Sequence, residues 1–433
     1  MGSNYKPIPK DTSVELQSKD QKNHGSQNPK SSHIVDDLDY DDLNEESDFD
    51  NLPLVIIPKE ASDSGSGSGS GSGIYGAVFN LSTSVIGAGI MALPATMKVL
   101  GLIVGIVLIF LMGILSEISV ELLAPSVTPE FFDQWLGNGF WDHRKLVILI
   151  VVIICLAPLC ALNKIDSLST TSAASVALAV VFVLVAFIVA FIKLLEGKIE
   201  TPRLTPDFGS KKAILDLLVV IPIMSNAFVC HFNVQPIYNE LENRSPKKMN
   251  KVGRLTTALC VTIYASTAIA GYLLFGKDTE SDILTNFDRP LGIRFSTALT
   301  YIVRVGYVLH LVLVFPVIHF SLRQTVDALF FDGSAPLSKS RKRCLGLTVV
   351  LLAVVYLGST MIPSIWTAFK FTGATTAVSL GFTFPALIAL RLSSQGTGLS
   401  TRERFLAWLM LCLAVTVSVV GVVGNVYSLQ SKS

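Results

Sequence analysis

An all-α polytopic membrane protein built from two inverted halves is the fold class this sequence predicts. Three observations carry that expectation. Hydrophobic residues make up 50% of the 433 positions and charged residues only 15%, well below the roughly 25% charge of soluble domains. The apolar residues are clumped in runs of 18 or more, each able to cross a hydrocarbon core of about 30 Å. Two of those runs, far apart in the chain, are broken by helix-disrupting residues in a matching way. A formal net charge of +1 offers a nucleic acid nothing to bind.

Residues 1–73 are of a different composition, rich in Asp, Glu, Ser, Asn, Gly and Lys. Such a segment buries too little apolar surface to fold alone. The run "DDLDYDDLNEESDFD" (36–50) is an acidic tail, and "SGSGSGSGSG" (64–73) is a flexible linker, natural or inserted. No basic stretch followed by an apolar one opens the chain, so no signal peptide is expected and the first span must direct insertion. The tail is expected to be cytoplasmic. The transmembrane domain then occupies 74–428, and 429–433 form a short C-terminal tail.

Ten spans are visible: 74–99, 102–124, 146–162, 171–194, 212–240, 252–275, 293–321, 344–361, 364–391 and 404–428. Basic residues crowd the loops 242–254, 321–343 and 391–404, while 276–290 is net acidic. This alternation fits basic loops on the cytoplasmic side. The count does not. With a cytoplasmic tail, ten crossings put all three basic loops on the far side. The interval 124–145, with Pro, Asp, Glu, His, Arg and Lys, is too polar to supply another. Either the tail is translocated or a crossing before residue 242 is missing, and a tail of this length without a signal favours the second.

The interrupted spans lead to the same gap. "NLSTSVIGAGIMALPATM" (80–97) and "IPIMSNAFVCHFNVQP" (221–236) both carry breakers at mid-span. Paired interruptions of this kind mark inverted-repeat transporters. Inversion requires four spans between the pair, and three are visible. Gly87 and Gly89 each cost a helix about 1 kcal/mol relative to Ala, and Pro94 about 3. The chain is expected to unwind around Ile86–Ile90 and, after Pro222, at Ser225-Asn226-Ala227. Freed N–H groups at a half-helix start suit a carboxylate, and freed carbonyls suit an ammonium. Together they describe a site for a zwitterion, which is the chemistry of an amino acid.

Asn80 is a candidate for bonding that unwound backbone, an ion or the substrate, against the plainer alternative of a helix–helix hydrogen bond. Phe228 is a candidate aromatic lid. His231, His310 and His319 lie inside spans and are candidate proton carriers, although for each singly a neutral packed histidine is the commoner arrangement. Arg304 and Asp216 near span ends are expected to reach the interface. The six cysteines show no CxxC pair and read as apolar thiols. No P-loop, GxSxG or HExxH motif is present, so neither an enzyme, a cofactor nor a metal site is expected.

The motif around the first break resembles a known family. "AVFNLSTSVIGAGIMALPATMKVLG" (77–101) is similar to the first span of the amino acid/auxin permeases, an Asn followed by GxGxLxLP, completed here by Met91-Ala92-Leu93-Pro94. "IPIMSNAFVCHFNVQPIYNEL" (221–241) resembles the sixth span, "FGKDTESDILTNF" (275–287) the loop after the seventh, and "VFPVIHFSLR" (314–323) the end of the eighth. The likeness is to the plant vacuolar-type branch, related to sodium-coupled neutral amino acid transporters, and covers most of 74–428. It implies eleven spans in the leucine-transporter fold, two inverted repeats of five plus one. It implies secondary transport with substrate at Ser84, Gly87, Ala88 and Gly89, and at Ser225, Asn226 and Phe228. It implies a vacuolar membrane, with plasma membrane and endoplasmic reticulum as alternatives.

Two departures follow from that resemblance. The third span, which helps line the site, is absent between Leu123 and Phe131, as in a splice or gene-model variant of impaired activity. Val314 stands where sodium-coupled relatives carry a Thr ligand, which argues for proton coupling or exchange. The expected function is secondary active amino acid transport, with a non-transporting sensor or inactive isoform as the alternative. Topology is open to a direct check. A glycosylation tag within 276–290 should be modified and one within 242–254 should not. The opposite pattern means that the missing crossing inverts the chain.

Overall fold

The computed structural model describes residues 72–123, 148–162, 164–289, 291–293, 295–331, 333–361, 365–394 and 400–430. The tail and linker up to residue 71, the interval 124–147 and residues 431–433 lie outside the described residues. Helices carry the architecture. α1 (Ile74–Val85) and α2 (Leu93–Leu100) are two halves of the first span, joined through a 3-10 turn over Ala88–Ala92 and bent by 47°. α3 (Leu102–Leu123) returns beside them, then come α4 (Ile148–Cys160) and α5 (Ser169–Leu195). α6 (Lys211–Phe228) and α7 (His231–Glu240) are the halves of the second interrupted span. α8 (Pro246–Phe275), α9 (Ser296–Phe330) and α10 (Arg341–Met361) follow. α11 (Ile365–Thr372), α12 (Phe384–Ser394) and α13 (Thr401–Gln430) complete the bundle.

Local chemistry explains where several helices begin. Ser210 and Ser245 accept from the backbone N–H three residues on, and Pro246 at the first position of α8 lacks only a donor that would be unpaired anyway. Ser400 and Glu403 form a reciprocal capping box at α13: Ser400 Oγ accepts from Glu403 N, and Glu403 accepts from Ser400 N at 2.9 Å. Between α11 and α12 the backbone passes through two π-turns, Gly373–Ala377 and Ser379–Thr383.

Small residues set the helix contacts, as expected in lipid, where close backbone approach replaces the hydrophobic drive. A Cβ at Gly271 of α8 would lie 2.6 Å from Pro94 Cγ. One at Gly421 of α13 would lie 2.7 Å from Pro222 Cγ, and one at Gly373 would collide with the Pro222 carbonyl. Pro94 and Pro222 are therefore each received by glycine on a neighbour. Four of the six thiols are buried, Cys155 is partly so, and Cys412 faces outward from α13.

Nine of the ten expected spans have matching helices of spanning length, counting the bent pair as one. The tenth, 146–162, is represented by α4, whose first described residue, Ile148, adjoins the interval outside the described residues. It packs through Leu156 and Cys160 against Leu352, with Val312 and Phe315 of α9 alongside. Its end is held by the buried Arg323 of α9, which donates to the Cys160 carbonyl, to the Leu162 carbonyl at 2.6 Å and to Thr348 Oγ1 at 2.9 Å. A cation at a helix C-terminus is favoured by the helix dipole.

The loops sort to two ends. At one, Lys98 donates to the Thr279 carbonyl, Leu102 N to the Arg203 carbonyl, and Arg203 N to Tyr272 Oη. Asp282 caps the short helix Ile283–Asn286 there, and burial pushes its carboxyl above the usual range. Arg304 pairs with Asp288 of the same acidic loop. At the other end, Arg254 pairs with Glu117 and Glu121 of α3, and the Glu240 carboxylate accepts from Ile165 N and Asp166 N. Both α3 and α4 therefore finish at the basic-loop end, although they are successive apolar elements. The chain between them, 124–147, lies outside the described residues.

Gly373→Ala should lower the thermal midpoint of the purified protein through overpacking of about 1–3 kcal/mol. Gly346→Ala, where a Cβ meets nothing within 4 Å, should leave it unchanged. Equal midpoints for both variants would refute the close contact at Pro222.

Candidate functional site

The first break lies where the glycines predict. α1 stops at Val85, Ile86 leaves helical geometry with φ −77° and ψ 78°, and Gly87 follows with φ −120° and ψ −144°. The 3-10 turn then starts at Ala88. The N–H groups of Ala88 and Gly89 precede any acceptor in that turn, and both residues are only half-buried while Gly87 and Ile90 are buried. This is a positive helix start in the middle of a span.

The second break is displaced from its expected place. Ser225, Asn226 and Ala227 remain helical, and α6 runs on to Phe228 before Val229 and Cys230 depart from helical geometry. The reason is where the carbonyls find donors. Ser225 Oγ bonds back to Ile221 O at 3.1 Å, within its own helix. The carbonyls of Ala227 and Phe228 are taken by Tyr264 Oη at 2.8 Å and Ser116 Oγ at 3.2 Å. The helix ends where donors from α8 and α3 can replace its own.

The two breaks touch. A Cβ at Gly89 would lie 2.9 Å from Ala227 Cα, so the backbones meet with no room for a side chain. α8 is the common support. At four-residue spacing it donates from Thr256 Oγ1 to Val78 O, from Cys260 Sγ to Ser82 O and from Tyr264 Oη to Val85 O at 2.5 Å. Tyr264 thus reaches the last carbonyl of α1 and one in the last turn of α6 together. Its ring meets Phe228 edge-on, with centroids 5.0 Å apart. Phe228 is accordingly packed between α3 and α8, 2% exposed.

Polar side chains link the halves below the breaks. Asn233 of α7 donates to Ser84 Oγ and accepts from Ser321 Oγ of α9, while Ser84 Oγ donates to Asn80 O at 2.8 Å. Asn80 Nδ2 donates to Ile165 O at 3.1 Å, a helix–loop bond, and its Oδ1 has no hydrogen-bond partner among the described residues. Asn226 is half-buried and accepts a long bond of 3.4 Å from Thr372. The structure brings Ser84, Gly87, Ala88, Gly89 and Phe228 to one place. Asn80, Ser225 and Asn226 stand a turn or so from it.

The histidines divide. His231 is the first residue of α7, at the second break, and its ring lies beside Phe382. His310 on α9 is fully buried, with Nδ1 3.0 Å from Ser175 Oγ and its ring stacked on Tyr307. It lies one turn before Val314, whose Cγ1 is 3.7 Å from a Cβ position at Gly87. His319 is buried away from the breaks, against Phe315. A cavity of about 590 Å³ opens at the basic-loop end, lined by Lys164, Asp166, Glu240, Arg323 and Gln324 among others. Sequence reasoning missed Tyr264, Asn233 and Ser321. Only Asn233, inside the second interrupted motif, had a polar signal next to a break.

The family described as "Transmembrane amino acid transporter protein" matches residues 70–128 and 123–427. Among Arabidopsis thaliana proteins, "Amino acid transporter AVT6E" is 65% identical over 447 residues, covering 91% of this chain and 89% of the relative. "Amino acid transporter AVT6A" is 39% identical over 414 residues, covering 83% and 89% respectively. "Amino acid transporter AVT6B" is 38% identical over 415 residues, covering 82% and 90%. The first alignment exceeds the chain's own 433 residues, of which 91% take part. About fifty of its positions therefore have no residue here, enough for a crossing of about 20 residues with its loops. The two family segments meet at 123–128, where the sequence places the gap.

The buried chain through Asn233 makes a measurable claim. Ser84→Ala and Asn233→Ala should each destabilise the protein, and a double-mutant cycle should return a coupling of about 1 kcal/mol. Additive losses would mean that the two side chains do not act together.

Proposed function

The chain belongs to the transmembrane amino acid transporter family, and from that premise we propose secondary active amino acid transport by alternating access, coupled to protons rather than sodium. The observation that carries this reading is the meeting of the two breaks at Gly89 and Ala227. Two half-helix starts, at Ala88 and His231, and two half-helix ends, at Val85 and Phe228, converge there. Starts are partly positive and ends partly negative. A free amino acid supplies a carboxylate for the first and an ammonium for the second. In this reading Ser84, Gly87, Ala88 and Gly89 form one side of the site, Ser225, Asn226 and Phe228 the other, and Asn80 braces the first half-helix.

Val314 supports the choice of ion. It faces Gly87, where a cation would need a side-chain oxygen, and valine has none. His310, next to that position, and His231, at the second break, are the proposed proton carriers, with His319 a more distant candidate. Basic loops on the cytoplasmic side follow from their charge, and the vacuolar membrane from the resemblance to the vacuolar-type branch.

A second reading has its own observation. α3 and α4 end on one side, and the relatives carry about fifty more positions, room for one crossing of about 20 residues. In that reading the absent piece is the third crossing, one wall of the site is gone, and the chain binds amino acids or signals without transporting them. Liposomes with an imposed pH gradient separate the two. Flux through this chain supports a working carrier. Flux only after a relative's segment is restored following Leu123 supports the non-transporting form. Amino acid binding without flux in either protein supports a sensor, and neither binding nor flux ends the amino acid reading. In whichever form binds, Gly87→Leu should abolish binding while insertion persists. Val314→Thr should introduce a sodium response.

A further inference from the structure

We propose that Tyr264 is a positioning residue that stands in for the substrate's ammonium group when the site is empty. This deepens the amino acid reading above and rests on it. The Tyr264 side chain is fully buried, and its oxygen lies 2.5 Å from Val85 O and 2.8 Å from Ala227 O. A phenol has one proton and cannot donate fully to two carbonyls. Val85 O receives a second donor, Gly87 N, at 2.8 Å. Ala227 O shows no other among the described residues. Gly87 N–H can thus serve Val85 O and the phenol Ala227 O, which leaves each carbonyl a second lone pair at the negative end of a half-helix, inside a membrane where no water can take it.

The spare lone pairs have a direction. They suit a compact donor with positive charge, and a primary ammonium with three N–H bonds is that group. When it arrives, it bonds both carbonyls at once and relieves the phenol of Ala227 O. When it leaves, the phenol keeps the two helix ends from facing each other unpaired. Without that service the empty site is strained and the amine is released slowly. The Tyr264 hydroxyl thus matters most to the unloaded protein, and less to the loaded one. A residue needed only for packing affects both equally.

The test compares Tyr264→Phe with the unaltered chain, since Phe keeps the ring and its contact with Phe228. Thermal midpoints are measured for the purified full-length protein with and without methylammonium, and with a mixture of neutral L-amino acids or the corresponding amine-free acids. The empty Y264F protein should melt roughly 5 °C lower, from a donor loss inside the membrane. Methylammonium should restore most of that loss and shift the variant more than the unaltered chain. A Y264F deficit that methylammonium leaves untouched overturns the proposal. So does a Y264F protein that melts like the unaltered chain while Tyr264→Leu does not, because the ring alone then matters. If Y264F does not accumulate, the same rescue is read as yield during expression with methylammonium, and no recovery overturns it. The amino acid reading fails separately. Rescue by methylammonium with no shift from any amino acid in the unaltered chain keeps the ammonium role and removes the substrate class.

Discussion

Backbone polar groups inside a hydrocarbon layer must find partners within the protein, and the structure is arranged around the two places where helices fail to supply them. α1 gives up its hydrogen-bond ladder at Val85 and α6 at Phe228. Those interruptions are tolerable only because each lies against the other and against α8, which offers Thr256, Cys260 and Tyr264 along one face. Gly89 permits the approach, since any side chain there would strike Ala227. Pro94 and Pro222 add bends that neighbours accommodate with Gly271, Gly373 and Gly421. Interruption, contact and support form one arrangement. Removing any of them leaves carbonyls without donors in a medium that has none to offer.

Much of this was legible in the sequence, and the exceptions share a cause. The apolar runs mark the helices because length and hydropathy are local properties. The first break is legible because Gly87, Gly89 and Pro94 act on their own backbone. The second was expected at Ser225–Ala227 and occurs at Val229–Cys230. Pro222 weakens that helix locally, but its end is decided by Ser116 and Tyr264, remote in sequence. A tyrosine in an apolar run looks like packing, so Tyr264 gave no signal. The run 146–162 is marked by its composition, but the group that holds its end, Arg323, is remote in sequence.

The parity argument and the fold meet at the same residues. Charge alternation, repeat symmetry, the common end of α3 and α4, and the division of the family match at 123–128 are independent observations. All bear on the interval that follows Leu123.

A final feature concerns α1 and α7. Near the breaks they are tied through Ser84 and Asn233. At their outer ends Ser72 forms an isolated bridge with Leu241, donating to the Glu240 carbonyl at 2.8 Å and accepting from Glu242 at 3.0 Å. Two short rods fastened at both ends behave mechanically as one strut. Their relative sliding and splaying are both blocked, and what is left is a shared tilt. The bridge also makes Ser72 a handle on that strut, so a force applied at Ser72 is delivered to the half-helices that close the centre of the molecule.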